Sequence, residues 1–187
     1  MKKVGILISG RGSNMMALVE ASRLPGSTYE IAIVASDRPA AGLEWANAQG
    51  IETIEFPRPT PKDKSQYHHA LDLKLRDAGV ETIALAGYMR LLSDDFVARW
   101  RGRIVNIHPS LLPKYKGLDT HQRAIDAGDA VAGCSVHVVT EELDAGAVLG
   151  QAEVPILPGD TAETLAARVL AEEHRLYPKV LADFVTR

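Results

Sequence analysis

Short apolar runs rich in β-branched residues alternate with longer segments whose apolar residues recur at helical spacing, and this alternation limits the fold of the chain more than any other feature. The runs are VGILIS (4–9), EIAIVAS (30–36), IETIEF (51–56), TIALAG (82–87), RIVNIH (103–108), CSVHVV (134–139) and VLGQAEVPI (148–156). Helical stretches near 14–23, 42–49, 63–78 and 94–101 separate the first five, and HQRAIDAG supplies a short helix before the sixth. Strands joined through helices need crossover connections, so the pattern predicts an α/β fold with a mostly parallel central sheet of about seven strands flanked by helices. Near the C-terminus Leu165, Ala166, Val169 and Leu170 recur at helical spacing behind the opening residues Thr161 and Glu163, and Pro178 is expected to kink or end that helix. The proline-rich FPRPTPK (56–62) reads as a rigid loop between strand and helix.

At 187 residues the chain can bury one core, and residues 1–187 are read as a single domain. A formal net charge of -3 lacks the clustered excess of Lys and Arg that binding a nucleic acid requires. The lone cysteine, Cys134, excludes an internal disulfide, and the apolar run Val4 to Ile8 is too short for a leader or a membrane span. Together these suggest the reducing cytoplasm.

Chemistry concentrates at the ends of the strands. The first runs into SGRGSN, Ser9 to Asn14, where a helix begins; unpaired N–H groups there suit a phosphate, and glycines let a ligand approach the backbone. A tight turn capped by Ser13 or Asn14 has the same sequence. Met15 stands where a dinucleotide fingerprint wants a third glycine, so a mononucleotide-sized ligand fits better. Asp37, ending the second strand, suits either a ribose or the opening of the turn DRP.

In NIHPSLLPKYKG, Asn106 and His108 are two apart on a strand, so both project from one face near the carboxyl edge, where open α/β sheets bind ligands. An amide that donates to an oxyanion and an imidazole that moves a proton suit attack on a carbonyl. A buried pair that satisfies loop carbonyls would look the same. Pro109, Pro113 and Gly117 would hold the loop beyond His108 in one conformation. The spacings of His108, His121 and His137 match no compact metal pattern, Cys134 suits packing in an apolar strand, and Asp144 in LDAG reads as a turn residue or as the partner of a histidine.

The segments NIHPSLLPKYKGLDTHQRAI and SVHVVTEELDAGAVLGQAEVPI, with LISGRGSN, AGYMRLLS and EEHRLYP, resemble the phosphoribosylglycinamide formyltransferases over essentially the whole length. SGRGSN together with GLDTHQRAI sets the chain apart from the related methionyl-tRNA formyltransferases and formyltetrahydrofolate deformylases, which ordinarily carry a further domain. The resemblance implies a Rossmann-like formyltransferase fold and transfer of a formyl group from 10-formyltetrahydrofolate to the amine of glycinamide ribonucleotide, without a metal. The N-terminal half would bind the nucleotide phosphate, and the C-terminal half would bind folate and carry catalysis. By resemblance Asn106, His108 and Asp144 are the catalytic trio, and Gly12, Ser13, Asn14 and Glu173 hold the nucleotide. Lys64, Met89, Arg90, Leu91, Leu92, Asn106 and Thr140, Glu141, Glu142, Leu143 and Asp144 line the folate pocket. Two positions depart from the family pattern: Lys64 stands where an arginine is expected, and Leu170 where a glutamine is usual. The partners implied are small molecules, with neither nucleic acid nor membrane, and a homodimer is compatible with the resemblance. The other functions open to the sequence are formyl transfer to a different amine and a non-catalytic nucleotide-binding module.

Overall fold

The computed structural model describes residues 1–56 and 64–187, with side chains from 66 onward in the second stretch. The apolar runs become β1 (Lys2–Ile8), β2 (Tyr29–Ser36), β3 (Glu52–Glu55), β4 (Thr82–Leu85), β5 (Ile104–His108), β6 (Val131–Val138) and β7 (Val148–Pro155). The helical segments become α1 (Ser13–Ser22), α2 (Ala41–Ala48), α3 (Lys64–Asp77), α4 (Asp94–Arg99), α5 (Thr120–Asp126) and α6 (Ala162–Phe184). All seven strands join one sheet in the order β3-β2-β1-β4-β5-β6-β7. β1 through β5 pair in parallel, whereas β6 and β7 are antiparallel additions at one edge. The loop expected at FPRPTPK lies, beyond Phe56, outside the described residues.

Alternation along each strand sorts side chains onto two faces. Ile6, Ile8, Val105, Ile107, Cys134 and Val136 pack on one face with α1 and α6. Leu7, Ile83, Leu85 and Ile104 pack on the other with α3 and α4, whose Trp100 neighbour is wholly buried. The indole N–H of Trp100 donates to Asp72 at 2.7 Å, so the polar atom of this core residue is satisfied. Parity then decides the site: Asn106 and His108 share the face of Ile104, beyond the apolar cluster.

Two expectations change. α6 runs for 23 residues through Pro178 to Phe184 rather than ending at the proline. Tyr177, Val180 and Leu181 are buried around it. Burial of such side chains, about 1.5–3 kcal/mol each, outweighs the roughly 3 kcal/mol of an interior proline. β6 begins at Val131, so Cys134 sits inside the strand rather than opening it. Burial pushes its thiol up to about 12, which suits packing and not nucleophilic attack.

The chain leaves β1 toward β2 and β3 on one side and returns through β4 and β5 on the other, which makes the β1/β4 boundary the switch point of the sheet. There Ser9 accepts a hydrogen bond from the Met89 backbone N–H at 2.9 Å and donates to Asp37 at 2.7 Å. The turns after β1 and β4 are thus tied together. The opposite side is held by α6, where the Tyr177 hydroxyl lies 3.0 Å from the Leu85 carbonyl and 3.2 Å from that of Val105. Among the described residues no helix is long and apolar enough to cross a membrane. Tyr177→Phe keeps the ring and removes this donor; urea denaturation should show a loss of about 1–3 kcal/mol with helix and strand content retained. An unchanged midpoint would mean that the hydroxyl adds nothing.

Candidate active site

Asn106 and His108 occupy the last turn of pleat in β5, and the antiparallel register sets Asn106 opposite His137 and His108 opposite Ser135. Because β6 runs against β5, its C-terminal end lies beside the start of β5, with Arg101 and Glu141 2.8 Å apart. The segment 140–147 must therefore fold back over the sheet face for Asp144 to reach the site. It does so with Asp144 in the left-handed region, φ 49, which aspartate tolerates better than most residues. Asp144 is thus a left-handed turn residue whose carboxylate also lies near two histidines.

Asp144 Oδ2 lies 3.5 Å from His108 Nδ1 and accepts the Gly117 backbone N–H at 2.9 Å. Its Oδ1 lies 3.6 Å from His137 Nε2. His108 Nε2 pairs with the Tyr115 carbonyl at 2.9 Å, and since a carbonyl only accepts, this nitrogen carries a proton. An imidazolium at 108 would find an acceptor on each side. The side chains of His108 and Asp144 are 7% and 8% exposed, so both are shielded from bulk water.

The 109–117 loop is secured from below. Ser135 donates to the Ser110 carbonyl at 2.6 Å and accepts from Leu112 N–H at 3.0 Å, while Gln151 bonds both Leu112 O and Ser135 at 2.9 Å. Ser135, Gln151 and Tyr115 were not legible as site residues from sequence, and His137 entered only as a metal-ligand candidate whose spacing fits no compact pattern. For Ser135 and His137 a signal existed, since SVH repeats the two-residue spacing of NIH, but only the strand register reveals that the two pairs share a face.

The turn after β1 differs from the capping expectation. Gly12, in the left-handed conformation at φ 72, is the N-cap of α1, and no side chain caps the helix. Gly42 packs behind it: a Cβ there would come within 2.9 Å of the Gly10 carbonyl. Ser13 opens the helix, and Asn14 is buried with Nδ2 donating to Glu173 Oε2 at 2.7 Å. Among the described residues Asn14 Oδ1 is buried with no partner, an acceptor available to a ligand donor. Leu170, one turn before Glu173 on α6, is 36% exposed and brings no hydrogen-bonding group. Asp37 stands in the bend that follows β2 and faces inward: Ser9 and Arg38 hold its carboxylate, and although burial pushes its pKa up, their hydrogen bonds outweigh this and keep it low.

Met89, Leu91 and Leu143 are exposed apolar side chains, at 63%, 68% and 52%. Leu92 is half-buried and packs against the core. Arg90 stacks 4.3 Å over the Tyr67 ring, its Nε 3.9 Å from Asp37. Thr140 donates to the Glu142 carbonyl, and Glu141 and Glu142 pair outward with Arg101 and Lys116, so this segment offers backbone rather than carboxylates. Lys64 begins α3, but its side chain lies outside the described residues. Among the described residues no three His, Cys, Asp or Glu side chains converge as a metal site.

A glycine-rich turn at the switch point of a Rossmann-like sheet, with an amide, an imidazole and a carboxylate near the carboxyl edge of β5, defines an α/β protein that carries groups capable of acid–base chemistry. Residues 2–181 match the formyl transferase family, and the chain belongs to it. It is 43% identical over 185 residues to phosphoribosylglycinamide formyltransferase of Haemophilus influenzae, covering 98% of this chain and 87% of that protein. It is also 43% identical over 180 residues to the human trifunctional purine biosynthetic protein adenosine-3, covering 96% of this chain but only 18% of the human protein. The crystal structure of phosphoribosylglycinamide formyltransferase from Brucella melitensis superposes with a TM-score of 0.94 at 55% identity, covering 98% and 95% of the two chains.

Burial raises the pKa of Glu173, more than the Asn14 hydrogen bond and nearby His108 lower it. The folded protein therefore holds this proton to higher pH than the unfolded chain, whose glutamates titrate near ~4.3. The resulting stability is full below that value and fades as pH rises through the folded pKa. Glu173→Gln should flatten the decline of the melting temperature from acid to neutral pH. An equal decline in the two proteins would mean that burial of Glu173 does not set this dependence.

Proposed function

We propose that the protein transfers the formyl group of 10-formyltetrahydrofolate to the primary amine of glycinamide ribonucleotide, a step of purine biosynthesis in the cytoplasm. The observation that carries this reading is the convergence of Asn106, His108 and Asp144 across the sheet edge from the Gly12 to Asn14 turn, in a chain of the formyl transferase family. The bacterial relatives named for this reaction, matched over most of their length, support it.

In this reading the amine attacks the formyl carbon, and charge builds on the formyl oxygen. Asn106 Nδ2 donates to that oxygen together with protonated His108. The departing nitrogen of the folate takes a proton from His108 as its bond to the formyl carbon breaks, and the attacking nitrogen, cationic after addition, gives one up, which restores the imidazolium beside Asp144. Asp144 holds the imidazole and accepts Gly117 N–H, so one carboxylate orients the acid and closes the loop beside it. The nucleotide phosphate binds the amides of Gly12, Ser13 and Asn14 at the positive end of α1, and Glu173 with Asn14 accepts ribose hydroxyls. Folate lies along Met89 to Leu92 and Thr140 to Asp144. These partners are small molecules.

An amine panel with 10-formyltetrahydrofolate tests the assignment. Glycinamide ribonucleotide should be the best acceptor, and comparable turnover of its dephosphorylated nucleoside would contradict the phosphate site. Affinity without transfer would make the protein a binding module. Leu170→Gln should alter nucleotide affinity by no more than a hydrogen bond's ~0.5–1.5 kcal/mol. Asp144→Asn retains the turn preference and can still accept Gly117 N–H, so kcat should fall steeply while nucleotide affinity and melting temperature hold. Unchanged turnover would reduce Asp144 to a turn residue.

A further inference from the structure

We propose that His137 is a positioning residue for the reaction: its neutral ring fixes which way the Asn106 amide faces, and so keeps Nδ2 available to the developing oxyanion. The inference rests on the oxyanion role proposed for Asn106. It begins with the register of β5 and β6, which places the two residues directly opposite each other on one face. Asn106 Nδ2 lies 3.1 Å from His137 Nε2, and His137 Nδ1 lies 3.0 Å from the Val138 carbonyl.

These two contacts determine each other. The Val138 carbonyl can only accept, so Nδ1 carries the ring proton, and a neutral imidazole then has only a lone pair at Nε2. An asparagine amide fits its pocket in two senses related by a half-turn, and only the sense that presents Nδ2 can donate to that lone pair. One N–H of Nδ2 is spent on His137, and the second remains for a reacting oxygen. In the opposite sense Oδ1 would meet the lone pair and would present an acceptor where negative charge develops.

The ring must stay neutral for this to work, and its surroundings favour that state. His137 is 2% exposed, and burial lowers its pKa by more than the Val138 carbonyl and the Asp144 charge raise it. Asp144 Oδ1 lies 3.6 Å from Nε2, and the His108 ring stands edge-on at 6.5 Å. A proton on Nε2 would turn toward Asp144, remove the acceptor for Asn106, and compete for the carboxylate that His108 needs. His137 therefore acts through Asn106 rather than on the substrate.

The test compares His137→Phe, which keeps a ring but accepts nothing, with His137→Gln, whose carbonyl can still accept from Asn106. His137→Phe should lower kcat about ten-fold or more, a share of the ~10²–10³ carried by an oxyanion donor, with the dissociation constant of glycinamide ribonucleotide little changed. His137→Gln should recover part of the loss. In an Asn106→Ala background His137→Phe should cost no more than roughly two-fold further, because its route of action is already gone. Nitrogen NMR of the wild-type protein near neutral pH should show His137 protonated at Nδ1 alone, and the Asn106 side-chain amide resonance should move in His137→Phe. The proposal falls if His137→Phe keeps wild-type kcat, if its loss is equal with and without Asn106, or if the ring proton resides on Nε2. Should His137→Phe fail to fold, the wild-type NMR and His137→Gln still decide. A wild-type protein that formylates no amine would refute the proposed function instead, while the NMR would continue to report on the His137 and Asn106 pair.

Discussion

The antiparallel pairing of β5 with β6 is the constraint on which the site depends. It sets Asn106 against His137 and His108 against Ser135, and it delivers the end of β6 to the wrong end of β5 for chemistry. The 140–147 segment has to double back, and its return brings Asp144 over both histidines. A parallel β6 would have needed a crossover helix and would have sent its following loop to the edge already occupied by the 109–117 turn. The switch from parallel to antiparallel strands thus converts one strand's pair of polar side chains into a four-residue polar face covered by a carboxylate.

Such a face is costly unless its groups are matched, since an unsatisfied buried polar group loses about 1–3 kcal/mol. Here the matching is close: Ser135 is used as donor and acceptor, Gln151 bridges Leu112 and Ser135, and both nitrogens of His137 have partners. His108 engages Tyr115 through Nε2 and faces Asp144 through Nδ1. Among the described residues Asn14 Oδ1, in the first turn of α1, is instead buried without a partner.

Apolar periodicity made every strand and helix of the described fold legible to within a few residues, because burial on one or two faces is written into each local run. The largest local error, at Pro178, arose because a proline's effect on a helix is local while the burial of Tyr177, Val180 and Leu181 is not. Capping by Ser13 or Asn14 was wrong for a related reason. Gly12 reaches the left-handed region without side-chain help, which frees Asn14 to turn inward to a partner 159 positions away in the chain.

By itself the sequence determined the alternating α/β architecture, the presence of Asn106 and His108 on one face of one strand, and a close resemblance to a formyltransferase family. Those properties follow from spacing and residue type within short windows. Tertiary structure alone decided that Asp144 is both a left-handed turn residue and a neighbour of two histidines, that Asp37 faces inward to Ser9, and that His137 lies against Asn106. Each of these depends on strand order, register or the path of a returning loop, which bring together residues whose separation in the chain carries no signal of their contact.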